Sequence, residues 1–207
     1  MISLAGVTAV LVVIAALRSL EAASDQEIVS GVLAGNTDYF EGLVVRYQRQ
    51  VFRIALRVTR HRDNAADVAQ EAFVRAFVAL KQYDANRPFG AWISRITLNA
   101  ALTLYSSGKK QGDERRTATL DNSNAADAFS TVARTEFETA VRAAVAGLPD
   151  GIRETFELRA YADLSYDEIA HELGVPRGTV MSRLARARER LREVLEQQGF
   201  GRESEAV

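Results

Sequence analysis

Six arginines lie between residues 177 and 192 of this chain, and Glu189 is the only acidic residue among them. A guanidinium group donates paired hydrogen bonds from a rigid fork, which suits phosphate oxygens and the guanine edge in the major groove. The net charge of the chain is −1, so any nucleic-acid binding must depend on local charge. We interpret this segment as a DNA-contacting helix, and a solvated surface helix is the simpler alternative.

The arginines belong to a segment that predicts a helix-turn-helix. Ser165 and Glu168 have the spacing of a capping box, which opens a helix. Gly174 tolerates the positive φ of a helix stop, and Pro176 suits the first turn of the next helix. The second helix has a buried face at helical spacing, formed by Val180, Leu184, Ala187 and Leu191. A helix-turn-helix places its second helix in the DNA major groove.

The polar side chains of this second helix are the candidate DNA-reading residues. They are Arg177, Thr179, Ser182, Arg183, Arg186 and Arg190. Arg183 and Arg186 are the preferred base or phosphate contacts, because we expect them to share the outward face near the helix start. Arg188 and Arg192 are expected to be solvated or to contact phosphates only.

A second group of polar residues lies on an amphipathic helix predicted over residues 65–82. Its core face comprises Ala69, Ala72, Phe73, Ala76, Phe77 and Leu80. Asp67, Gln70, Glu71 and Arg75 lie on another face. Charge complementarity would let this face dock on a basic partner, and a solvated surface is the alternative interpretation.

A turn and another helix follow this amphipathic segment. Asp84, Asn86 and Pro88 provide the turn chemistry between Tyr83 and Phe89. The next helix is predicted over residues 89–105. An apolar stripe is usually core, so we assign the apolar residues of this helix to the core: Trp92, Ile93 and Ile96.

The same segments resemble a known family, the bacterial sigma-70 factors, and most closely its extracytoplasmic-function (ECF) group. The motifs are Asp67 to Phe73 (DVAQEAF), Phe89 to Ile96 (FGAWISRI) with Asn99, Leu164 to Ala170 (LSYDEIA) and Gly178 to Leu184 (GTVMSRL). A short helix-turn-helix match alone is weak, because many regulators share it. Two separate halves in the family's order make chance agreement improbable.

The resemblance implies a role for each candidate surface. The face of Asp67, Gln70 and Glu71 would bind the β′ coiled coil of core RNA polymerase. The recognition helix would read the promoter −35 element. The loop and helix after residue 83 would open the −10 element and hold a flipped base. The residues assigned to that last role are Asn86, Arg95 and Asn99.

The resemblance also implies further partners. These are the polymerase β flap and an anti-sigma factor, with no small-molecule substrate. Arg95 could equally be a surface ion-pair partner. Two features depart from the family pattern: the stretch from Leu104 to Lys110 contains only two basic residues, Lys109 and Lys110, and Met181 and Ala185 stand where relatives often have a basic and a bulky residue.

Composition agrees with an all-α protein of two small helical domains joined by a flexible linker. The 207 residues include three prolines and no cysteine, which fits a reducing cytoplasm and excludes thiolate metal sites. His61 and His171 do not make a metal constellation, and His171 is expected on a helix surface. No nucleophile or nucleotide-binding motif occurs, so we predict no enzymatic activity, metal or cofactor.

The predicted organisation has five parts. They are an apolar extension at 1–22, a sigma region 2-like domain at 23–105, a linker at 106–134, a sigma region 4-like domain at 135–198 and a tail at 199–207. Leu4 to Leu17 is almost wholly apolar but shorter than the roughly twenty residues of a membrane span. This extension is an upstream addition from a misassigned start, a packed helix or, less favoured, a weak membrane tether.

The predicted function is that of an ECF-type sigma factor directing promoter recognition, DNA melting and transcription initiation. One alternative is a sigma mimic that binds an anti-sigma factor without reading DNA, and the arginine-rich helix argues against it. The others are a membrane-tethered signalling protein and an ordinary helix-turn-helix repressor. A repressor would not need the helix containing Gln70 and Glu71.

Overall fold

A computed structural model of the chain describes residues 23–108 and 125–200. These ranges contain helices and no strand, so the prediction of an all-α protein with two helical domains is confirmed. Short 3-10 turns occupy Thr37–Tyr39 and Leu80–Gln82. In chain order the α-helices of the described ranges are α1 Asp25–Leu33, α2 Phe40–Thr59, α3 Arg62–Ala79, α4 Phe89–Gly108, α5 Ala125–Ala146, α6 Asp150–Ala160, α7 Tyr166–Leu173 and α8 Arg177–Gln197.

The chain divides into two compact units, one up to Leu104 and one from Tyr105 onward. In the first unit, α1, α2, α3 and the start of α4 share one core. Aromatic rings surround the start of α4: the Phe89 ring lies 5.3 Å from Tyr47, 5.4 Å from Tyr83 and 5.4 Å from Trp92 between centroids. Trp92 is half-buried and Ile93 is buried, so the core assignment of this stripe is confirmed.

Polar contacts attach α1 to α2. Ser24 and Glu27 form a capping box at the start of α1. The Asp25 carboxylate pairs with the Arg46 guanidinium and accepts a hydrogen bond of 2.5 Å from the Tyr47 hydroxyl. Burial and the bond to Asp25 raise the pKa of Tyr47 above its usual value. The hydroxyl therefore stays protonated and donates its hydrogen bond, and the contact holds the start of α1 against α2.

Helix α3 differs in detail from the predicted helix over 65–82. It begins at Arg62, and its last turn continues as the 3-10 segment that ends at Gln82. Small residues make its buried stripe: Ala65, Val68, Ala72 and Ala76. Phe77, predicted as core, is 41% exposed, because this stripe brings α2 close and moves Phe77 to its edge. There its ring contacts Phe40 at 5.2 Å.

The second unit has an aliphatic core between α5, α6 and α8. Its buried members are Ala144, Val145, Leu148, Ala187 and Leu191. Half-buried side chains surround them: Val141, Ile152, Phe156 and Val194. Phe137 is exposed, and its ring contacts Phe200 at 5.4 Å.

Some predicted parts lie outside the described residues. These include the extension at 1–22, most of the linker at 106–134 and the tail beyond residue 200. Helix α5 begins at Ala125, so the last part of the predicted linker is helical. The linker prediction rested on Ser, Asn and Asp, whereas the alanines at 125, 126 and 128 favour helix. Within the described ranges, no helix combines the length and apolarity that a membrane crossing requires.

Candidate nucleic-acid interface

The helix-turn-helix of the second unit is built as its local chemistry predicts. The Glu168 backbone N–H donates to Ser165 Oγ at 3.3 Å, and the Ser165 N–H donates to the Glu168 carboxylate at 2.8 Å. Gly174 ends α7 in the left-handed region, with φ of 63°. Pro176 is the N-cap residue of α8. The predicted stripe seats α8 on its unit, since all four members are buried: Val180, Leu184, Ala187 and Leu191.

The candidate polar residues of α8 fall into three groups. Arg186 and Arg190 are exposed, and neither forms a hydrogen bond or ion pair with another described residue. Arg177 is exposed, but its Nε lies 3.5 Å from the Asp167 carboxylate of α7. Thr179 and Ser182 form a local pair, in which the hydroxyl of exposed Ser182 donates to the half-buried Thr179 carbonyl at 3.0 Å. Arg186 and Arg190 are therefore the cations most available to a polyanion.

Arg183 occupies a different position from the one expected. It is half-buried, and its guanidinium lies against the first turn of α6, where a Cβ added at Gly151 would come within 3.2 Å of it. The reason is helical geometry, since Arg183 is four residues from buried Ala187 and only about 40° from it around the axis. Arg183 and Arg186 do not share the centre of the outward face, and Arg183 lies at its edge.

One strip of the exposed surface of α8 is weakly polar near the start of the helix. Met181 is 53% exposed, and Ala185 is exposed one turn further along α8. Two other arginines continue this strip further along α8 and have partners within the unit. The Arg188 guanidinium lies 3.4 Å from the Tyr166 hydroxyl, and that of Arg192 lies 2.5 Å from the Glu189 carboxylate. The face that a DNA groove would meet therefore combines exposed guanidinium groups with apolar surface.

The polar face of α3 is exposed as predicted. Asp67, Gln70 and Glu71 all face solvent, and Glu71 accepts a hydrogen bond of 2.7 Å from Arg75 Nε one turn away. The same face continues into two exposed apolar residues that the sequence pattern did not single out. These are Val74, 53% exposed, and Val78, 76% exposed. They follow Glu71 by three and seven residues, a spacing that puts them on its helical face, and this spacing could have revealed them in the sequence.

The loop before α4 is an ordered turn that presents Asn86. The Asp84 carboxylate accepts hydrogen bonds from the Asn86 backbone N–H at 3.0 Å and from its side-chain amide at 2.9 Å. These bonds hold the pKa of Asp84 below its usual value. The Tyr83 hydroxyl donates to the Arg87 carbonyl, and the Gln26 amide donates to the Ala85 carbonyl at 2.7 Å. The loop is thus fixed to α1 and to the aromatic core.

The three residues predicted for the −10 element divide into two places. Arg95 and Asn99 lie one turn apart on α4, with Asn99 exposed and Arg95 half-buried. Asn86 precedes the helix, whereas Asn99 is about ten residues beyond Phe89 and roughly 15 Å along the helix axis from it. The structure therefore groups Arg95 with Asn99 and presents Asn86 separately on the loop.

Sequence reasoning also missed a basic surface on α2. Its arginines recur at intervals of three or four residues, which is the spacing of one helical face. They are Arg46, Arg49, Arg53 and Arg57, followed by Arg60 at the C-cap. The overall charge balance of the chain hides them, whereas a search for local charge in this segment would have found them.

Comparison with known proteins agrees with this geometry. The family model described as Sigma-70 region 2 matches residues 43–111, and the one described as Sigma-70, region 4 matches residues 138–191. The chain is 33% identical over 181 residues to the RNA polymerase sigma-H factor of Pseudomonas aeruginosa, covering 83% of this chain and 94% of that relative. It is 31% identical over 178 residues to the ECF RNA polymerase sigma factor SigW of Bacillus subtilis, covering 81% and 94%.

A solved structure shows the same fold. It is the structure of CnrH in complex with the cytosolic domain of CnrY, which matches with a TM-score of 0.52 and 30% identity. The match covers 84% of this chain and 97% of that chain. The two helical units and these similarities define a sigma-70 family protein, a class that acts in transcription initiation. Within that family the chain belongs to the ECF group, and it functions as an ECF sigma factor.

Proposed function

We propose that three surfaces of this chain divide the work of initiation. The face of α3 binds core RNA polymerase, α8 reads the −35 element, and α4 with its preceding loop opens the −10 element. The observation that carries the proposal is the pair Arg186 and Arg190, because both are exposed on the second helix of a helix-turn-helix and neither is neutralised by another described residue. Such a helix docks in the major groove.

At the −35 element, α8 supplies two kinds of contact. Arg186 and Arg190 contribute charged hydrogen bonds to phosphates or guanine edges. Met181 has no hydrogen bond to offer a base, but the major groove presents one apolar group, the C5 methyl of thymine. We therefore assign Met181 to a thymine methyl. Arg183, lying against Gly151, supports the position of α8 on α6 and reaches phosphates from the edge.

At the −10 element, melting requires a site that holds a base outside the stack. Extrusion costs a few kcal/mol, and pocket contacts offset that cost. The loop carrying Asn86 is suited to this role because Asp84, Gln26 and the aromatic core fix it before DNA arrives. Asn99 and Arg95 extend the contact along α4, and their separation from Asn86 suits neighbouring nucleotides better than a single base.

The α3 face is suited to a partner of mixed character. Asp67, Gln70 and Glu71 supply charge and hydrogen bonds, which steer association and set its orientation. Val74 and Val78 add exposed apolar area, which a protein interface can bury at its centre. We assign this face to the β′ coiled coil and the second unit to the β flap. An anti-sigma factor would act by covering one of these surfaces.

In this proposal the chain itself is not an enzyme, and it uses no cofactor or small-molecule substrate. The polymerase carries out the nucleotidyl transfer, and the chain determines where it starts. The site of action is the cytoplasm, where the nucleoid is. The linker joins the two DNA-binding units, and the second contact gains from the effective concentration that such a tether provides.

Run-off transcription with core polymerase and a fragmented genomic library tests the proposal. Wild-type protein should give new transcripts whose mapped starts define the promoter. Arg186→Ala with Arg190→Ala should abolish these transcripts and leave core affinity unchanged. Asp67→Ala, Gln70→Ala and Glu71→Ala together should lower core affinity at least tenfold, equivalent to about 1.4 kcal/mol. The matched control is Arg188→Ala with Arg192→Ala, whose partners lie within the unit, and it should lose little activity.

Three outcomes would each contradict part of the proposal. Core binding without protein-dependent transcripts would indicate a sigma mimic. Transcripts that survive loss of both exposed arginines would remove α8 from promoter reading. If the α3 variant kept full core affinity, the polymerase contact would have to lie elsewhere in the first unit.

A further inference from the structure

Helix α2 carries a row of arginines that none of the three proposed surfaces uses. Arg46, Arg49, Arg53, Arg57 and the C-cap residue Arg60 fall within an arc of about 80° around the helix. They extend over about 21 Å along its axis. No aspartate or glutamate occurs from Gly42 to Arg62, so the surrounding sequence does not balance this charge. We call these five residues the α2 arginine row.

Arg46, at one end of the row, has a role in the fold. Arg46 pairs with the Asp25 carboxylate and donates to the Ala23 carbonyl at 2.6 Å, so it helps to hold the start of α1 against α2. Arg49 and Arg53 are exposed, and neither forms a hydrogen bond or ion pair with another described residue. The buried side of α2 lies on a different face: Leu43, Val51, Ile54, Ala55 and Val58.

Packing does not explain such a row. Like charges one turn apart on a helix repel each other, so the first unit gains no stability from placing them together. A solvated face usually alternates the two signs of charge, as Glu71 and Arg75 do on neighbouring α3. A run of one sign on one face is the electrostatic pattern of a site for a polyanion.

The chemistry of the row favours a nucleic-acid backbone over an acidic protein. Guanidinium forks bind phosphate through paired charged hydrogen bonds. A row about 21 Å long, repeating every helical turn, matches a ligand whose negative charge also repeats regularly along its length. The nearby rings of Tyr47 and Phe52 are half-buried, so the row is built to contact backbone rather than to stack on bases.

We infer that the α2 arginine row binds promoter DNA phosphates outside the −10 and −35 contacts, without sequence preference. This inference rests on the proposed function, because it requires the first unit to hold DNA. Two lysines, Lys109 and Lys110, directly follow α4, and Arg115 and Arg116 come a few residues later. The α2 row provides phosphate-binding charge from another helix of the same unit.

The test uses the full chain with core polymerase on a promoter fragment recovered by run-off transcription. The variant is Arg49→Gln with Arg53→Gln, since glutamine keeps helix propensity and removes charge. Promoter affinity is measured as a function of salt, and core affinity is measured separately. Removal of two phosphate contacts should reduce the slope of log affinity against log salt by about 1.4 to 1.8. At about 0.15 M salt this corresponds to a roughly ten- to thirtyfold loss of promoter affinity.

Two further variants make the result specific. Arg49→Lys with Arg53→Lys keeps the charge and should retain most of the wild-type slope. Lys81→Gln with Arg134→Gln removes the same charge from exposed positions outside the row and should leave the slope nearly unchanged. Unaltered circular dichroism and melting of the Gln variant would establish that folding is intact. If that variant were unfolded, the single substitution Arg53→Gln would provide the measurement, with about half the change in slope.

Each remaining outcome overturns a defined claim. An unchanged slope with a stable promoter complex would overturn the inference and leave the proposed function intact. Loss of core affinity with an unchanged slope would identify an acidic protein surface as the partner. A wild-type chain that supports no protein-dependent transcript would overturn the proposed function and this inference with it.

Discussion

The two units solve the problem of positioning DNA-contacting residues in different ways. In the first unit Asn86 lies on a loop, and that loop is held by aromatic rings around Phe89 and by side-chain hydrogen bonds. In the second unit the candidates lie on α8, which needs only a stripe of small and medium aliphatic residues to be seated. A loop lacks the repeating backbone bonds of a helix, so its geometry must be fixed by its surroundings.

The largest expected effects test whether the two cores are independent. Phe89→Ala removes a fully buried ring and should cost the first unit about 3–5 kcal/mol, and Leu184→Ala should cost the second about 2–5 kcal/mol. The chain has a single tryptophan, Trp92, so its fluorescence reports on the first unit while circular dichroism reports on both. Phe89→Ala should shift the fluorescence transition, and Leu184→Ala should shift only the remaining dichroism transition.

Exposed residues of the same two units provide the controls for this comparison. Val78→Ala and Met181→Ala should each change stability by no more than about 0.5 kcal/mol, because both side chains face solvent. If Leu184→Ala moved the Trp92 transition as far as Phe89→Ala does, the units would unfold as one cooperative body.

The pH dependence of stability also differs between the two units, because one carboxyl group of the second unit titrates near neutral pH. Burial raises the pKa of Glu157 on α6 from its usual 4.5 to about 7, and neighbouring Glu154 adds to the rise while Arg153 opposes it. The folded second unit therefore holds a proton that the unfolded chain releases. The stabilisation of the folded unit by this protonated carboxyl is complete below about pH 4.5 and disappears as the pH rises through 7. In the first unit hydrogen bonds lower the pKa of Glu27 and Asp84. The two ionised carboxylates therefore stabilise the fold at neutral pH, and this stabilisation is lost only in acid.

Denaturation at pH 5.5 and pH 8 measures this difference. The second unit should be less stable at pH 8 by an amount on the order of 1 kcal/mol, once solvent screening of the half-buried group is allowed for. Glu157→Gln should remove that dependence. The transition reported by Trp92 should show no corresponding loss, and a loss there would assign the pH effect to the first unit.

The sequence predicts what depends on neighbouring residues in the chain. The capping box of Ser165 and Glu168, the stop at Gly174 and the buried stripe of α8 are all found in the structure, because each involves residues within one or two turns. Periodicity shows which residues share a face but not which element covers it. Phe77 was therefore expected in the core and is exposed.

Contacts between elements explain the other differences. The Arg183 guanidinium of α8 packs against α6 because Gly151 leaves room for it. The residue pattern of α8 alone does not reveal this contact. Glu172, a charged residue on α7, is 2% exposed, and periodicity alone gave no reason to expect its burial. The polymerase and DNA roles of individual residues are predictions.

Two matched capping boxes give smaller effects. Ser24→Ala and Ser165→Ala each remove the same cap from a short helix, α1 and α7, so each should cost about 1 kcal/mol. Only Ser24→Ala should move the Trp92 transition. Ser24→Asp and Ser165→Asp keep an N-cap acceptor and should restore most of the stability. If only one of the two alanine substitutions lowered stability, the helix in the unaffected unit would be held by packing alone.

The smallest expected effect concerns single methyl groups on DNA. Met181 is assigned to a thymine methyl, so replacing that thymine by deoxyuridine in the −35 element should weaken wild-type binding about fourfold, the equivalent of about 0.8 kcal/mol for one buried methyl group. Met181→Ala should bind both templates equally. Deoxyuridine placed at each thymine of the −35 element in turn identifies the thymine that Met181 contacts.

The same substitution in the −10 element sharpens the comparison between the units. Asn86 and Asn99 offer amides, which read hydrogen-bonding edges, so loss of a methyl group there should leave affinity unchanged. Sensitivity to deoxyuridine that persists in Met181→Ala would remove Met181 from base reading. The recognition surface of α8 would then depend on its arginines alone, whereas a loss confined to the wild type would show that its apolar strip distinguishes bases that the guanidinium groups do not.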